Sequence, residues 1–547
     1  MEKKEVFRYA GFCFTLLLLT VPGICAEWDD GMEMLVPAIE IDASPRHQWP
    51  PSVSYNSTDG EFLVMWRTSG KLAEGCPGDE CNKSWYEISG QRVLPDGTLL
   101  GDRIVLSAPT SSSEVKFMPK SAYNKFRNEY GVVFNLGPGP GYEELQPLFS
   151  RLGNDGAILA GPSLLVERDN NSHPSILFNP VEREYLYLSN DQYTYSDSVD
   201  VSALTIDEDG NLTWGPVLVG STQGEQYNPQ GAWSSNDNTY LLSWEDFRNV
   251  ETVMENAEQY GALIDASSKT MIDDLPILVD FGTPDEGDQK NENVVYNPDN
   301  NEFLVSFGVD SQPSLEYWGG LVGRIINADG TPKGDPFVMA DEEKPQNSPS
   351  AVYVESEQKY FVAWVDYRND TVLEPGMTFY LADDTDIYAR WFEPDGQPAG
   401  AEIPIWVGEG VQANPQVAYD PVTKRFLIAF MDHNAPGDFE PPPPAPMQWM
   451  PDSPINCMGV IYGAPSCLTE IIYGEYSDEI ELLRNFRDNV LINTPGGKEL
   501  IRLYYEWSPV VVKAMEENEE FKEDVKEMID VILPLIGDSY MCVWGRS

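Results

Sequence analysis

A motif that occurs seven times organises this chain. Its form is clear in Pro349 to Arg368, PSAVYVESEQKYFVAWVDYR, where a proline and an alternating strand lead through a polar turn to a second strand. The copies align on an aromatic residue at intervals of 55 to 68 residues: Tyr55, Tyr123, Phe178, Trp233, Tyr296, Tyr353 and Tyr419. A second aromatic residue follows eleven places later, except in the third copy, which has Ser189. A repeat of this length restricts the fold more than any other feature of the sequence.

Each copy contains about four short segments with the period-two alternation of strands. Asp-Gly pairs typical of tight turns precede the fourth segment, as at Asp96-Gly97 and Asp395-Gly396. Seven units of four strands predict a seven-bladed β-propeller, because a linear β-solenoid usually has rungs shorter than about 50 residues. The fold class is therefore mainly β, with the propeller spanning residues 27–463.

The two ends of the repeat region predict how the ring closes. The seventh copy, which begins at Pro415, reaches a third strand at CMGVIYG and has no fourth. An unassigned strand, Leu35 to Asp42, precedes the first copy and resembles the fourth strands of the other units. We expect it to complete the seventh blade, because closure removes the free edge of that sheet.

Strand direction assigns the connections to two faces. Neighbouring strands run in opposite directions. The entrance to strand one therefore shares a face with the connection from strand two to strand three. The long insertions of this chain fall in that connection, which we call the insertion face; the Asp-Gly turns fall on the opposite, hairpin face. Long loops on a rigid scaffold are where binding usually resides.

Residues 1–26 have the pattern of a cleavable signal peptide: Lys3, Lys4 and Arg8 precede an apolar run that ends near small residues at Ala26. No later segment is apolar enough to cross a bilayer. We expect a mature chain without a transmembrane span that is secreted, periplasmic or held at the cell surface. In such a compartment cysteines can oxidise, which favours a Cys76–Cys81 disulfide and a second one between Cys457 and Cys467.

The formal net charge is −54, from 89 acidic and 35 basic residues. This charge argues against nucleic acid and anionic lipid as partners. It is typical of a solvated acidic surface, with calcium binding as the alternative. The candidate calcium ligands are Asp383, Asp384 and Asp386, with Asp207 and Asp209 as a further pair, although neither group has the full spacing of an EF-hand loop.

The candidate ligand-binding residues lie on the insertion face. The three histidines, His47, His173 and His433, all fall there, and Asp432 precedes the last of them. The three histidines either converge on one site or occupy three unrelated positions. Asp246 with Arg248, and Asp366 with Arg368, begin the same connection in two blades. They are either acid/base or sugar-binding groups at the channel mouth, or ion pairs that hold the connection in place, and the repetition favours ion pairs.

Residues 464–538 change to helical periodicity, as in SDEIELLRNFRDNVLI and FKEDVKEMIDVILPLI, and predict a small helical domain followed by a tail, 539–547. Elements such as NPQVAYDPVTKRFLIAF make the repeats resemble those of secreted bacterial β-propeller proteins, most without an assigned activity. The segment from Cys467, with LRNFRDNVL and YYEWSP, is similar to the CFI-box C-terminal domain of bacterial exported proteins, although its opening lacks the usual Phe-Ile-Ala-Thr-Ala. The resemblance implies a bacterial envelope context and supplies no catalytic residues.

We therefore expect a non-catalytic propeller that binds a glycan, a protein or an envelope component through its long loops. A carbohydrate-active enzyme, either a glycoside hydrolase or a polysaccharide lyase with acidic residues at the channel mouth, is the alternative. A third possibility is a structural surface protein docked through its helical tail.

Overall fold

The computed structural model describes residues 33–42, 47–70, 85–108, 114–137, 145–167, 171–192, 199–220, 224–248, 257–276, 289–310, 319–340, 344–371, 382, 384–433, 456–463, 521–527 and 529–530. Within this part of the chain, the compact unit Val36–Tyr462 contains seven four-stranded sheets. The predicted β-propeller is therefore confirmed.

The strands, in chain order, are β1 (Glu33–Glu40), β2 (His47–Asn56), β3 (Glu61–Gly70), β4 (Trp85–Val93), β5 (Leu99–Ser107), β6 (Val115–Asn124), β7 (Glu129–Gly137), β8 (Gln146–Gly153), β9 (Ile158–Leu164), β10 (Asn171–Asn179), β11 (Glu184–Gln192), β12 (Val199–Asp207), β13 (Leu212–Leu218), β14 (Gln226–Ser234), β15 (Thr239–Asp246), β16 (Glu258–Asp265), β17 (Met271–Pro276), β18 (Gln289–Asn297), β19 (Glu302–Asp310), β20 (Gly319–Asn327), β21 (Pro332–Ala340), β22 (Gln346–Val354), β23 (Lys359–Asp366), β24 (Asp386–Phe392), β25 (Ile403–Trp406), β26 (Val411–Asp420), β27 (Arg425–His433) and β28 (Asn456–Gly463).

Each of the first six blades pairs four consecutive strands in order, beginning with β2-β3-β4-β5. The first strands of successive blades contact one another around a closed ring: β2, β6, β10, β14, β18, β22 and β26. These inner strands enclose the central channel. The second strand of each blade packs on both sides, so its apolar residues run almost continuously; Phe62 through Trp66, for example, are fully buried.

The repeat aromatics form the core between strands one and two. Tyr353 packs on Tyr360 with ring centroids 5.1 Å apart, and Tyr419 packs on Phe426 at 4.6 Å. The second repeat aromatics Trp66, Trp244 and Trp364 are completely buried. Because aromatic side chains bury large apolar areas, these positions account for the constancy of the motif.

The seventh blade closes as the sequence predicts. Its sheet has the order β1-β28-β27-β26, so the strand that precedes the first repeat supplies the outer edge. The backbone N–H of Ile41 donates to the carbonyl of Cys457 at 3.1 Å, and the Ile41 side chain is only 2% exposed. The ends of the propeller are thereby joined by a sheet rather than by a loop.

The connections divide between two faces as expected. On the hairpin face, strands one and two are joined by tight turns, and the residue before strand two has positive φ, as in Asn128 and Asn301. Asparagine is among the side chains that adopt this conformation most readily. On the insertion face the connections are longer: β27 ends at His433 and β28 begins at Asn456.

The predicted helical domain at 464–538 is described only in part. Residues 521–527 and 529–530 are helical, within the last predicted helix, and the other residues of this segment lie outside the described part of the chain. The described residues of this segment therefore belong to one short helix, and the bundle stays a prediction. No helix among the described residues has the length and hydropathy needed to span a bilayer.

Candidate functional site

A layer of polar residues lies near the insertion face, and some of its side chains join neighbouring blades. It occupies the position seven residues before each repeat aromatic: Gln48, Lys116, Asn171, Gln226, Gln289, Gln346 and Gln412. The Gln48 Oε1 accepts a hydrogen bond from the backbone N–H of Cys457 in blade seven at 2.5 Å. In blade five, the Gln289 Oε1 accepts from the backbone N–H of Gln259 in blade four at 3.1 Å. The five glutamines recur in the sequence, but an alignment on aromatics and prolines overlooks them.

Two residues further along, the inner strands contain β-bulges. Bulge residues have φ between 44° and 52° and stand directly before the repeat prolines: Met118, His173, Asn228, Ser348 and Asn414. Such a conformation is uncommon outside glycine, and bulges re-aim side chains, often beside functional sites. The repeat proline therefore marks a bulge in the channel wall, and His173 is one of the bulge residues.

His173 belongs to a chain of hydrogen bonds between blades three and four. The Asn190 Nδ2 donates to the His173 Nδ1 at 3.0 Å, and the Asn190 Oδ1 accepts from the backbone N–H of Asn228 at 3.0 Å. The Asn228 Nδ2 in turn donates to the Glu245 Oε1 at 2.8 Å. Burial, followed by the nearby charge of Lys120, lowers the pKa of His173 to about 4. The imidazole is therefore neutral at pH 7.

The three histidines lie in three different blades. His173 is in β10 of blade three. His47 begins β2 in blade one, and His433 ends β27 in the adjacent blade seven. Both side chains are buried, with 6% and 2% exposed, and Asp432 accepts a hydrogen bond from Gln412 Nε2 at 2.8 Å. Ligand binding by His47, Asp432 and His433 stays a prediction.

The two Asp-x-Arg motifs form ion pairs within their own blades, as the repetition predicted. The Arg248 guanidinium binds both carboxylate oxygens of Asp246, at 2.9 and 2.7 Å, and Trp244 Nε1 donates to the same carboxylate at 2.9 Å. Asp366 and Arg368 repeat the arrangement at 2.8 and 2.7 Å. Asp246 and Asp366 are 1% and 0% exposed. Each motif therefore holds the start of an insertion.

Each Asp-x-Arg arginine also stacks on an aromatic ring of the third strand. The Arg248 guanidinium carbon lies 3.8 Å from the Tyr260 ring centroid, and that of Arg368 lies 4.0 Å from the Tyr388 centroid. Burial opposes the charged form of Arg368, but hydrogen bonds to Asp366 and Glu402 raise its pKa. Both arginines are thus fixed by three kinds of contact, which leaves them little freedom to follow a ligand.

The acidic run at 383–386 is used, where it is described, for local hydrogen bonds. Asp383 lies outside the described residues. The Asp386 carboxylate accepts from Asn369 Nδ2 at 2.6 Å and from the Gly408 backbone N–H at 3.1 Å, while its burial raises its pKa. In the described ranges, no group of three or more histidine, cysteine or acidic residues could hold a metal ion. Calcium at Asp383, Asp384 and Asp386 stays a prediction.

The disulfides are also untested. Among the described residues Cys457, in β28, forms no disulfide, and its complete burial raises the pKa of its thiol. Its predicted partner Cys467, and both Cys76 and Cys81, lie outside the described residues.

Blade three carries a pair of acids that the sequence analysis missed. Asp191 in β11 stands directly opposite Asp200 in β12, and the side chains are 1% and 5% exposed. The pair lies two residues after Ser189, where the other blades have a tryptophan or phenylalanine. The loss of the aromatic residue at Ser189 was visible in the sequence, but the register that pairs Asp191 with Asp200 was not.

No protein-family model matches the chain, and no curated protein matches it. Among solved structures, the chain is similar to a protein of unknown function from Dyadobacter fermentans at 12% identity and a TM-score of 0.42, with 80% of this chain and 100% of that one covered. An α-L-arabinofuranosidase from Fusarium graminearum matches at 10% identity and a TM-score of 0.39, covering 79% and 98%. A sialidase from Streptococcus pneumoniae matches at 10% and 0.42, covering 78% and 70%. The family resemblances drawn from the sequence stay predictions; the chain itself is a seven-bladed β-propeller.

Proposed function

We propose that this protein is a non-catalytic β-propeller that binds a glycan at its insertion face. The observation that carries the proposal is that the candidate acids of that face form hydrogen bonds within the scaffold. Asp246 and Asp366 are held by bidentate arginines, and Asp432 accepts from Gln412. Acid/base catalysis of glycoside cleavage requires carboxyl groups that exchange protons with the substrate, whereas these three carboxylates are engaged in hydrogen bonds within the scaffold.

The scaffold supports binding through the connections that differ between blades. The second strands share one apolar pattern, and five of the seven positions of the layer that contains Gln48 and Gln412 are glutamine, whereas the insertions differ in length and composition. Variable loops on a constant frame are the usual arrangement of a recognition surface. We include in the proposal export after cleavage near Ala26, to a secreted, periplasmic or cell-surface location, and the two disulfides.

The test is a glycan array combined with a polysaccharide-degradation screen, using the mature full-length chain. We expect binding of at least one glycan without release of reducing ends. A variant in which residues 434–455 are replaced by a short glycine-serine linker should lose or change binding. The matched control is Val422→Ser on the hairpin face, where Val422 is 81% exposed. Product release by the wild type would overturn the proposal that the protein is non-catalytic. An array on which no glycan is bound would overturn the assignment of a glycan as the ligand.

A carbohydrate-active enzyme is the second candidate, because of Asp191 and Asp200. Residues directly opposite in antiparallel strands have Cβ atoms about 4.5–5.5 Å apart. Retaining glycosidases place their two carboxyl groups about 5–5.5 Å apart. If the degradation screen detects turnover, Asp191→Asn and Asp200→Asn should each abolish it, while Asp237→Asn on the hairpin face should not. Turnover that survives both substitutions would exclude this pair as the catalytic acids.

A further inference from the structure

A second polar layer surrounds the channel three residues before each repeat aromatic. Six of its seven members are uncharged: Ser52, Ser175, Gln230, Asn293, Ser350 and Gln416. Several accept hydrogen bonds from the next inner strand; Ser350 Oγ accepts from the Val417 backbone N–H at 3.0 Å, and Asn293 Oδ1 from that of Ala351 at 3.1 Å. Blade two has Lys120 here, and a lysine cannot accept a hydrogen bond. Lys120 therefore cannot accept the backbone hydrogen bond that Ser350 and Asn293 accept at this position.

The longer side chains of the layer reach the channel. The three serines are buried, between 4% and 8% exposed, whereas Lys120, Gln230, Asn293 and Gln416 are partly accessible to solvent. An inner strand is covered by its own blade and by both neighbouring inner strands, so the solvent beside it is that of the channel. The partly accessible side chain of Lys120 therefore borders this space.

The charge of Lys120 has no counter-ion among the described residues, and its ammonium makes no hydrogen bond with any of them. The neighbouring cation Lys116 differs, since its Nζ donates to the Ala108 carbonyl at 2.6 Å and lies 3.3 Å from a Glu114 carboxylate oxygen. Desolvation lowers the pKa of Lys120. An enclosed charge without a partner is costly and is rarely kept without a use.

Hydrogen-bond donors stand at the same level of the channel. Gln230 Oε1 accepts from Ser175 Oγ at 3.4 Å, and Asn293 Oδ1 accepts from the Ala351 backbone. Their carbonyl oxygens are therefore turned to the protein. The remaining NH2 groups of these amides make no hydrogen bond with a described residue. Lys120 therefore supplies one positive charge, and the amides of Gln230 and Asn293 supply neutral hydrogen-bond donors.

We propose that Lys120 anchors a binding site for a single carboxylate group in the channel. One ammonium with uncharged amide donors matches a monoanion in charge. A phosphate dianion would require a second cation, and the neutral His173 does not provide one. The negative field of the whole chain also disfavours more highly charged ligands. A uronic acid residue carries a suitable carboxylate, although the site stands independently of glycan binding at the insertion face.

The test is calorimetric titration of the full-length chain with glucuronate, with glucose as the neutral control and inorganic phosphate as the alternative anion. We expect saturable binding of glucuronate only. Lys120→Gln should weaken it at least tenfold, whereas Lys125→Gln, an exposed lysine of the same blade, should not. Equal affinity of Lys120→Gln and the wild type, or no saturable binding of glucuronate, would overturn the proposal. Phosphate bound as tightly as glucuronate would overturn the carboxylate assignment.

A second variant distinguishes loss of the site from loss of the fold. Asn293→Asp keeps the oxygen that accepts from Ala351 and adds a negative charge at the level of Lys120. We expect it to weaken glucuronate binding at least tenfold with an unchanged circular dichroism spectrum. Unchanged binding in this folded variant would contradict a site at this level of the channel.

Discussion

The two faces of the propeller are built at opposite ends of the same strands, yet their polar groups serve different purposes. On the hairpin face, neighbouring turns bond to each other: Tyr353 OH donates to Asp299 of the preceding blade at 2.6 Å, and Tyr123 OH to Thr58 at 2.5 Å. On the insertion face, the repeated polar groups bond within the scaffold below the loops. The comparison teaches that residues constant across blades are structural on both faces.

What differs between the faces is therefore where variation is tolerated. The hairpin turns are short and each places a residue in the left-handed region, so their length and sequence are restricted. The insertions begin beyond Asp246 or Asp366, which hold their first residues, and can vary without disturbing the blade. Lys120 is an exception within the inner layers, since it breaks a repeated position without a compensating contact among the described residues.

The largest expected effect tests whether the strand ends of the insertion face are scaffold. Asp246→Ala removes the carboxylate bound by Arg248 and Trp244, and breaking a buried ion pair costs about 3–5 kcal/mol. Urea unfolding measures this loss. Asp237→Ala, on the hairpin face of the same blade, removes an exposed bond to Asn301 and should cost less than about 1 kcal/mol. Equal losses would mean that the two faces do not differ in this way.

The double variant Asp246→Leu with Arg248→Met sharpens the same test. Because it removes both charges, we expect it to recover much of the stability lost in Asp246→Ala. A double variant as unstable as the single one would show that the ion pair is not the cause.

An effect of intermediate size is the pH dependence of stability that His173, in the channel wall, produces. The pKa of His173 is lowered to about 4 by burial and then by Lys120, so between pH 6.5 and 4 the unfolded chain binds a proton that the folded chain does not. This contribution to stability is present above pH 6.5 and is lost as the pH falls to about 4. A shift of this size corresponds to about 3 kcal/mol, which partial solvation in the channel reduces to about 1–2 kcal/mol.

His173→Asn should remove that pH-dependent part, since asparagine occupies the same bulge at Asn228 and Asn414. Urea unfolding at pH 7.5 and 4.5 gives the difference, with Lys125→Gln as the control. The same loss in His173→Asn and the wild type would contradict an imidazole that is kept neutral in the folded chain.

The smallest effect lies on the hairpin face. Tyr353→Phe removes the hydrogen bond to Asp299 and leaves the ring packed on Tyr360, so we expect a loss of about 1 kcal/mol. Thermal unfolding measures it, and ligand binding at the other face should not change. Altered binding in this variant would show that the faces are coupled.

The sequence alone was sufficient for much of the fold. It predicted seven blades from the spacing of Tyr55 to Tyr419, and it placed Leu35 to Asp42 at the edge of the seventh blade. It predicted the glycines of the Asp-Gly turns, such as Gly97 and Gly396, which have φ of 85° and 84°. The described residues include only parts of the bundle at 464–538 and of the predicted calcium and disulfide sites, so these stay predictions.

The candidate site could be predicted far less well. The sequence named Asp246, Asp366 and His173 as candidates, but their roles depend on Trp244, Trp364 and Asn190, which approach only in the folded blade. Lys120 and the Asp191–Asp200 pair were not singled out, because a lysine or an aspartate in a strand has no local signature of its surroundings.

The sequence by itself determined the number of blades, the strand order, the closing strand and the assignment of the insertions to one face. Alternation, turn chemistry and repeat spacing are local properties that a linear chain displays directly. Only the tertiary structure decided which polar groups are bonded in the scaffold and which remain available for a ligand. Those answers depend on neighbours in other blades: Gln48 meets Cys457 across 409 residues of chain, and the surroundings of Lys120 are assembled from strands of several blades.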